Sequence, residues 1–283
     1  MGSADIIPGV SGGTIALITG IYERFVLALK SVNFTFIFYF FKGFIDRRYF
    51  KKSKEKFLSI DFAFLLPLAA GVGLAFLLLA NIMSFLLSSY PSYTYGFFFG
   101  LILGSAFVIY LLNKKNFKIY SFVFLILGFI FGFLIVGLDA IQADHSLIII
   151  FFSGLISFCA MILPGISGAF ILLILGQYEF MLSVLKDIAN FDFSGIFYAI
   201  SYVIGGITGL LLFSRVLSFL LKRYHAATLL FIIGLMLGAL REPFEVITGS
   251  FSNIFLIFFI GAIGVLCVVL LSFFSIKKNK SLG

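Results

Sequence analysis

The stretch IIPGVSGGTIALITGIYERFVLALK, residues 6–30, returns at residues 162–186 as ILPGISGAFILLILGQYEFMLSVLK, with 13 identities in 25 aligned positions. An apolar composition matches Leu to Leu by chance, but not Pro8 to Pro164, Ser11 to Ser167, or Tyr22-Glu23 to Tyr178-Glu179. A second pair, SFLLSSYPSYTYGFFFGLILGS at 84–105 and SFLLKRYHAATLLFIIGLMLGA at 218–239, adds 11 identities in 22. The chain is therefore expected to be one transmembrane domain made of two repeats, about 1–145 and 146–283.

Around these stretches the sequence is poor in charge. Of its 283 residues 62% are hydrophobic and 11% charged, against about 25% charged in a soluble domain. Apolar runs at 62–87, 95–112, 119–138, 147–163, 195–221, 228–240 and 254–276 are long unbroken segments rather than the short alternating ones of a barrel. The expected class is all-α, a polytopic integral membrane protein, and the length allows roughly eight to ten crossings. Segments 6–29 and 162–185 are interrupted by Pro-Gly, and 34–44 is short for a crossing. The net charge of +8 belongs to loops and anionic lipid contact in this class, and no basic surface interleaved with aromatics calls for nucleic acid. No basic leader with a small-residue cleavage site precedes the first apolar stretch, so insertion is expected to be directed by the spans themselves.

Lys and Arg fall into groups that fix an orientation. Lys42 to Lys56, Lys114 to Lys118, Lys222-Arg223 and Lys277 to Lys280 are expected on the cytoplasmic side, with the uncharged loop at 88–93 and the acidic loop at 139–145 outside. That arrangement closes only if 146–176 enters from outside and returns there as a re-entrant hairpin. It also places Tyr90 outside and its mate Tyr224 inside, so the two repeats are expected to be inverted. Inverted repeats broken by Gly and Pro at matching positions point to a secondary-transporter architecture with its site between the broken helices.

At each elbow, a proline beside glycines allows the helix to stop and restart, and the restarted helix offers free N–H groups and a serine hydroxyl suited to an anion. The candidate binding residues are Gly9, Ser11, Gly12, Gly13 and Thr14 in the first elbow, and Gly165, Ser167 and Gly168 in the second. Other glycines, among them Gly71, Gly73, Gly100, Gly104, Gly205, Gly206, Gly234 and Gly238, are expected to serve close helix packing. Charges not assignable to loops mark a pathway: Asp5, Glu23, Arg24, Glu179 and Arg215. Arg24 and Arg215 are the candidates for balancing the charge of a bound anion; Glu23, Glu179, Asp5, Tyr22 and Tyr178 are candidates for coupling or positioning. The structural alternative is neutralising ion pairs, such as Arg24 with Asp5. The first elbow is the more polar, because Asp5, Thr14 and Arg24 face Met161, Phe170 and Phe180 in the repeat.

Cys159 and Cys267 each sit alone in apolar runs, and His145 and His225 lie at span ends where exposure is expected. No metal-binding or nucleophile motif is present, so neither an enzyme nor a cofactor is expected. Channels and exchangers also aim broken helices at anions, which keeps a small-anion pathway as the alternative, with a membrane lipid-phosphate enzyme behind it.

The motif ADIIPGVSGGTIALITGIYERF at 4–25, with its echo ILPGISGAFILLILGQYEF at 162–180, resembles the DUF368 family of bacterial membrane proteins across essentially the whole chain. The resemblance implies a polyprenyl-phosphate transporter of the bacterial cytoplasmic membrane, returning undecaprenyl phosphate to the inner leaflet for cell-wall synthesis. It implies partners of that lipid, the surrounding membrane lipids and a coupling proton or ion. The family motif covers Asp5, Pro8, Gly9, Ser11, Gly12, Gly13, Thr14, Tyr22, Glu23 and Arg24, then Pro164, Gly165, Ser167, Gly168, Tyr178 and Glu179. One departure is the lead: family members carry a longer segment than the five residues before Ile6 here.

Overall fold

A computed structural model describes residues 1–5, 11–140, 144–249 and 253–281. Pro8 and Gly9 of the first elbow lie outside the described residues, as do the side chains of Lys277, Lys278 and Lys280. The described residues form helices and turns only, as the apolar runs require: without water, a spanning segment satisfies its backbone internally.

A short α1 (Gly2–Asp5), α2 (Gly12–Ile18) and α3 (Tyr22–Ser31) make the first broken unit, and α4 (Thr35–Gly43) with α5 (Arg48–Leu58) makes a helical hairpin. Then come α6 (Phe62–Ser89), α7 (Pro91–Asn113) and α8 (Phe122–Val136). The second broken unit is α9 (Leu147–Ile162), α10 (Gly168–Ile174) and α11 (Tyr178–Ala189), followed by α12 (Ile196–Arg223), α13 (His225–Ala239), α14 (Arg241–Gly249) and α15 (Ile254–Ser281). Local chemistry sets several starts. Asp61 caps α6 by accepting from the Phe64 N–H, and Ser146 caps α9 by accepting from the Ile149 N–H. Pro91 opens α7, where its missing N–H costs nothing.

Elements recur in register. α2 and α10 have seven residues each and start 156 positions apart, as do α3 and α11. α6 and α12, both 28 residues long, start 134 apart, as do α7 and α13. Two of the three most extensive helix pairings join the first half to the second, α7 on α15 and α8 on α13, while α9 and α12 pair within the second half. Glycines make these approaches. A methyl on Gly100 would fall 1.9 Å from the Gly261 carbonyl oxygen, and one on its mate Gly234 would fall 2.0 Å from that of Leu125. Gly205 likewise meets the Phe151 carbonyl. Gly71 and Gly73 depart from the packing expectation, since among the described residues nothing lies within 4 Å of a side chain built there.

Among the described residues, five helices are long and apolar enough to cross a membrane, and up to seven segments if each of two bent pairs is one span. That is fewer than the length allows, because the second broken unit bends by 112° between α10 and α11 and α5 is rich in Lys and Arg. Tyr22–Gly43 qualifies by length and composition. Yet α4 is paired with α5, and carrying Arg48 and the lysines of α5 into hydrocarbon would cost about 2.5–3.5 kcal/mol per charge.

Candidate functional site

The two elbows interlock. After α9 ends at Ile162, residues 163–165 leave the helical path, and their backbone groups and the last carbonyls of α9 need partners. The first elbow supplies them: the Tyr22 hydroxyl donates to the Ile162 carbonyl at 3.2 Å, the Ser11 hydroxyl donates to the Leu163 carbonyl at 3.0 Å, and the Gly165 N–H donates to the Thr14 hydroxyl at 3.1 Å. Ser11 also caps α2, accepting from the Gly13 N–H at 3.1 Å. Gly165 sits at φ +91°, a backbone conformation open to glycine. Ser11, Thr14 and Tyr22 are each at most 1% exposed, so these bonds form out of contact with solvent. Thr14→Val keeps the shape but strands the buried Gly165 N–H, and is expected to cost about 1–3 kcal/mol of stability. Thr14→Ser should lose little; equal unfolding of the two variants in detergent would contradict the bond's contribution.

Asp5 occupies a central place. Its carboxylate accepts from the Gly12 N–H at 2.6 Å, so the anion at the start of α2 is the protein's own. Its second oxygen is buried without a hydrogen-bond partner among the described residues. Two apolar grooves meet beside it. The larger, about 480 Å³, runs between α9, α10, α11 and α12 and is walled by Phe158, Leu172, Met181, Leu185 and Val203. Ser157, Ser167, Tyr178 and Tyr202 give that groove a hydroxyl-rich patch. Ser167 makes no capping bond to α10, unlike Ser11 in α2. Ser157 donates to the Gly168 carbonyl at 2.7 Å and lies 3.3 Å from the Tyr202 hydroxyl, which folds α10 back along α9. The second groove, about 200 Å³, is lined by Asp5, Gly13, Phe25, Leu29 and Leu210, and the two share Asp5, Phe158 and Met161.

The remaining charges sit elsewhere. Arg24 turns away from Asp5 and pairs with Asp61 at 3.4 Å, its guanidinium 4.7 Å from the centre of the Phe64 ring. The alternative of a neutralising Arg24–Asp5 pair is not realised, because α3 presents Arg24 toward the start of α6, with its side chain 61% exposed. Glu23 lies 2.9 Å from His225 at the start of α13. Lys30 donates to the Ser218 hydroxyl at 3.3 Å, which ties α3 to α12. Arg215 projects from the exposed face of α12, whose buried face carries Ser214, Leu217 and Ser218. Glu179 is exposed at the start of α11. Elbow residues therefore gather in one place, whereas Arg24, Glu23 and Arg215 lie toward the end of the bundle marked by Lys222 and Arg223.

Residues 1–255 match a family model described as undecaprenyl phosphate translocase-like, the VCA0040-like family. The chain belongs to this family. A polyprenyl-phosphate transporter of Vibrio cholerae is 39% identical over 248 residues, covering 86% of this chain and 74% of the relative. A polyprenyl-phosphate transporter of Staphylococcus aureus is 31% identical over 268 residues, covering 90% and 85%. No solved structure matches the chain. Within this member of the family, sequence reasoning missed several polar residues in and around the site. Gln177, fully buried, donates to the Asp144 and Leu175 carbonyls and pairs with His145, whose ring stacks on Phe180 at 4.1 Å. Gln177 faces Ile21 in the repeat, so the alignment gave no signal for it. Asp61 was not singled out in the sequence, and Ser157 and Tyr202 are ordinary residues of apolar spans. Both cysteines are free, and Cys159 only donates to the Gly209 carbonyl.

Proposed function

We propose that this multi-pass membrane protein carries a polyprenyl phosphate, undecaprenyl phosphate, from the outer to the inner leaflet of the bacterial cytoplasmic membrane, returning the lipid carrier for cell-wall synthesis. The observation that carries the reading is the large groove: apolar walls of prenyl-chain character, with hydroxyls of Ser157, Ser167, Tyr178 and Tyr202 where a phosphate could be held. The names of both relatives support the substrate class.

In this reading the repeats, about 1–145 and 146–283, are inverted and move against each other in alternating access. The head group enters beside Ser167, Gly168 and Gly165, and the tail stays in lipid. A phosphate arriving next to the Asp5 carboxylate is repelled in a low dielectric, so entry requires Asp5 to take up a proton or pair with a cation. Neutral Asp5 frees the Gly12 N–H, and Ser11, Gly12, Gly13 and Thr14 then form the second station. Arg24 and Arg215, with Lys222, receive the phosphate toward the cytoplasmic end. Glu23 holds α3 to His225 in the closed state, and Glu179 and Tyr178 serve the equivalent helix α11. Reconstitution with a leaflet-specific probe of undecaprenyl phosphate tests this. Ala199→Trp, which fills the groove, and Arg24→Ala are each expected to slow transfer about tenfold or more, the equivalent of roughly 1.4 kcal/mol at the barrier. Transfer equal to wild type in both variants would overturn the path.

A further inference from the structure

Between α3 and α6 the chain makes an excursion that the second half lacks. From the start of α3 to the start of α6 is 40 positions, whereas from α11 to α12 is 18, and the 22 extra residues account for the change of repeat offset from 156 to 134. The ends of the excursion meet, because the Asp61 N–H donates to the Ser31 hydroxyl at 3.1 Å. Its two helices, α4 and α5, pack on each other, and no other helix packs appreciably on either among the described residues. Phe36–Phe57 and Phe40–Phe50 contacts, ring centres 5.3 and 5.6 Å apart, and stacked Tyr39–Tyr49 join them. The Ser53 hydroxyl donates to the Phe36 carbonyl at 2.7 Å.

That pairing leaves two unlike faces. Phe34, Ile37, Phe38, Phe41, Phe44 and Ile45 recur at helical spacing along α4 and its end, and all are exposed, Phe41 to 65% and Ile45 to 90%. Opposite them, α5 carries Arg48, Lys51, Lys52, Lys54 and Lys56, and with Lys42 and Arg47 against Asp46 and Glu55 the excursion has a net charge of +5. The ammonium groups sit at the boundary: Lys42 lies 4.6 Å from the Phe38 ring centre and Lys52 5.4 Å from that of Tyr49.

We propose that the α4–α5 hairpin lies in the plane of the cytoplasmic leaflet, with the outer face of α4 in the acyl boundary and the basic face of α5 on anionic lipid head groups. Packed helices stand about 8–10 Å apart, which matches a headgroup layer of roughly 5–8 Å above the hydrocarbon. One helix therefore reaches the chains while the other stays at phosphate level. Charge complementarity selects a leaflet over an apolar protein groove, and a basic amphipathic helix gains about 1 kcal/mol per Lys or Arg at an anionic surface. The hairpin starts where α3 ends and finishes where α6 enters its span, so the surface it needs is always within reach.

The chain contains no tryptophan, so Phe41→Trp and, separately, Arg48→Trp each give a single emitter. Both proteins are reconstituted in vesicles of phosphatidylcholine alone or with about one-third phosphatidylglycerol. The expected result is quenching of Phe41→Trp by bromolipids, stronger in the anionic vesicles, while Arg48→Trp stays open to aqueous iodide. Adding Lys→Gln at Lys51, Lys52, Lys54 and Lys56 should lower the anionic preference of Phe41→Trp about tenfold or more without touching the grooves. Equal iodide quenching of Phe41→Trp in both vesicles would overturn the proposal. So would equal shielding in lipid and detergent, which would assign the face to a second copy or another protein.

Discussion

Gly165→Ala is expected to destabilise the protein more than any other single-methyl addition at the elbows. Two costs combine. An L side chain at φ +91° is strained, by about 1–3 kcal/mol, and the new methyl would meet the Met236 Cα, a backbone atom of α13, at 2.9 Å. Relieving that contact means moving α13 away from the elbow and breaking the Gly165–Thr14 bond. A total loss of roughly 3 kcal/mol or more follows. Gly71→Ala, which enters open space, supplies the comparison and should change stability by no more than about 0.5 kcal/mol. Unfolding of both variants in detergent reads the difference, and similar midpoints would show that the elbow tolerates separation.

Asp5→Asn should have the largest effect on transport. Asp5 is the one charged side chain that lines both grooves. In the proposed cycle its charge must be neutralised before a phosphate can pass. Asparagine is neutral throughout, keeps an acceptor for the Gly12 N–H and cannot carry a proton. The expected variant transfers lipid at a rate insensitive to pH and to an imposed proton gradient. Gradient-driven accumulation should fall about tenfold or more, the equivalent of roughly 1.4 kcal/mol in driving or barrier. An Asp5→Asn protein that still responds to the gradient as wild type does would remove Asp5 from coupling.

The all-helical membrane class was legible because hydrocarbon admits few solutions and the apolar runs declare themselves. The elbows were legible because Pro, Gly and Ser recur in register, and α2 and α10 start at the serines the alignment paired. Partner choice was not legible. Arg24 follows Glu23 in sequence, yet α3 delivers one to Asp61 and the other to His225, since successive residues on a helix point about 100° apart. Asp5 was legible as a candidate for coupling or positioning, but not that its donor is the Gly12 backbone. Gln177 hid because a single amide in an apolar run looks like any polar residue at a span end. The α4–α5 excursion contributed only its lysines to the orientation, and its aromatic face became visible once α5 was seen to cover the other side of α4.

The crossing of helix pairs between the two groups has a consequence for biosynthesis. α8 finds its closest partner in α13, and α7 finds its own in α15. When the ribosome has finished α8, neither α7 nor α8 has met the surface it was shaped for, and their bare backbone stripes wait in the bilayer for roughly a hundred residues still to be made. α15, in the second half, completes the surface of α7. A nascent chain stalled before α15 therefore presents α7 without this partner to the insertion and quality-control machinery.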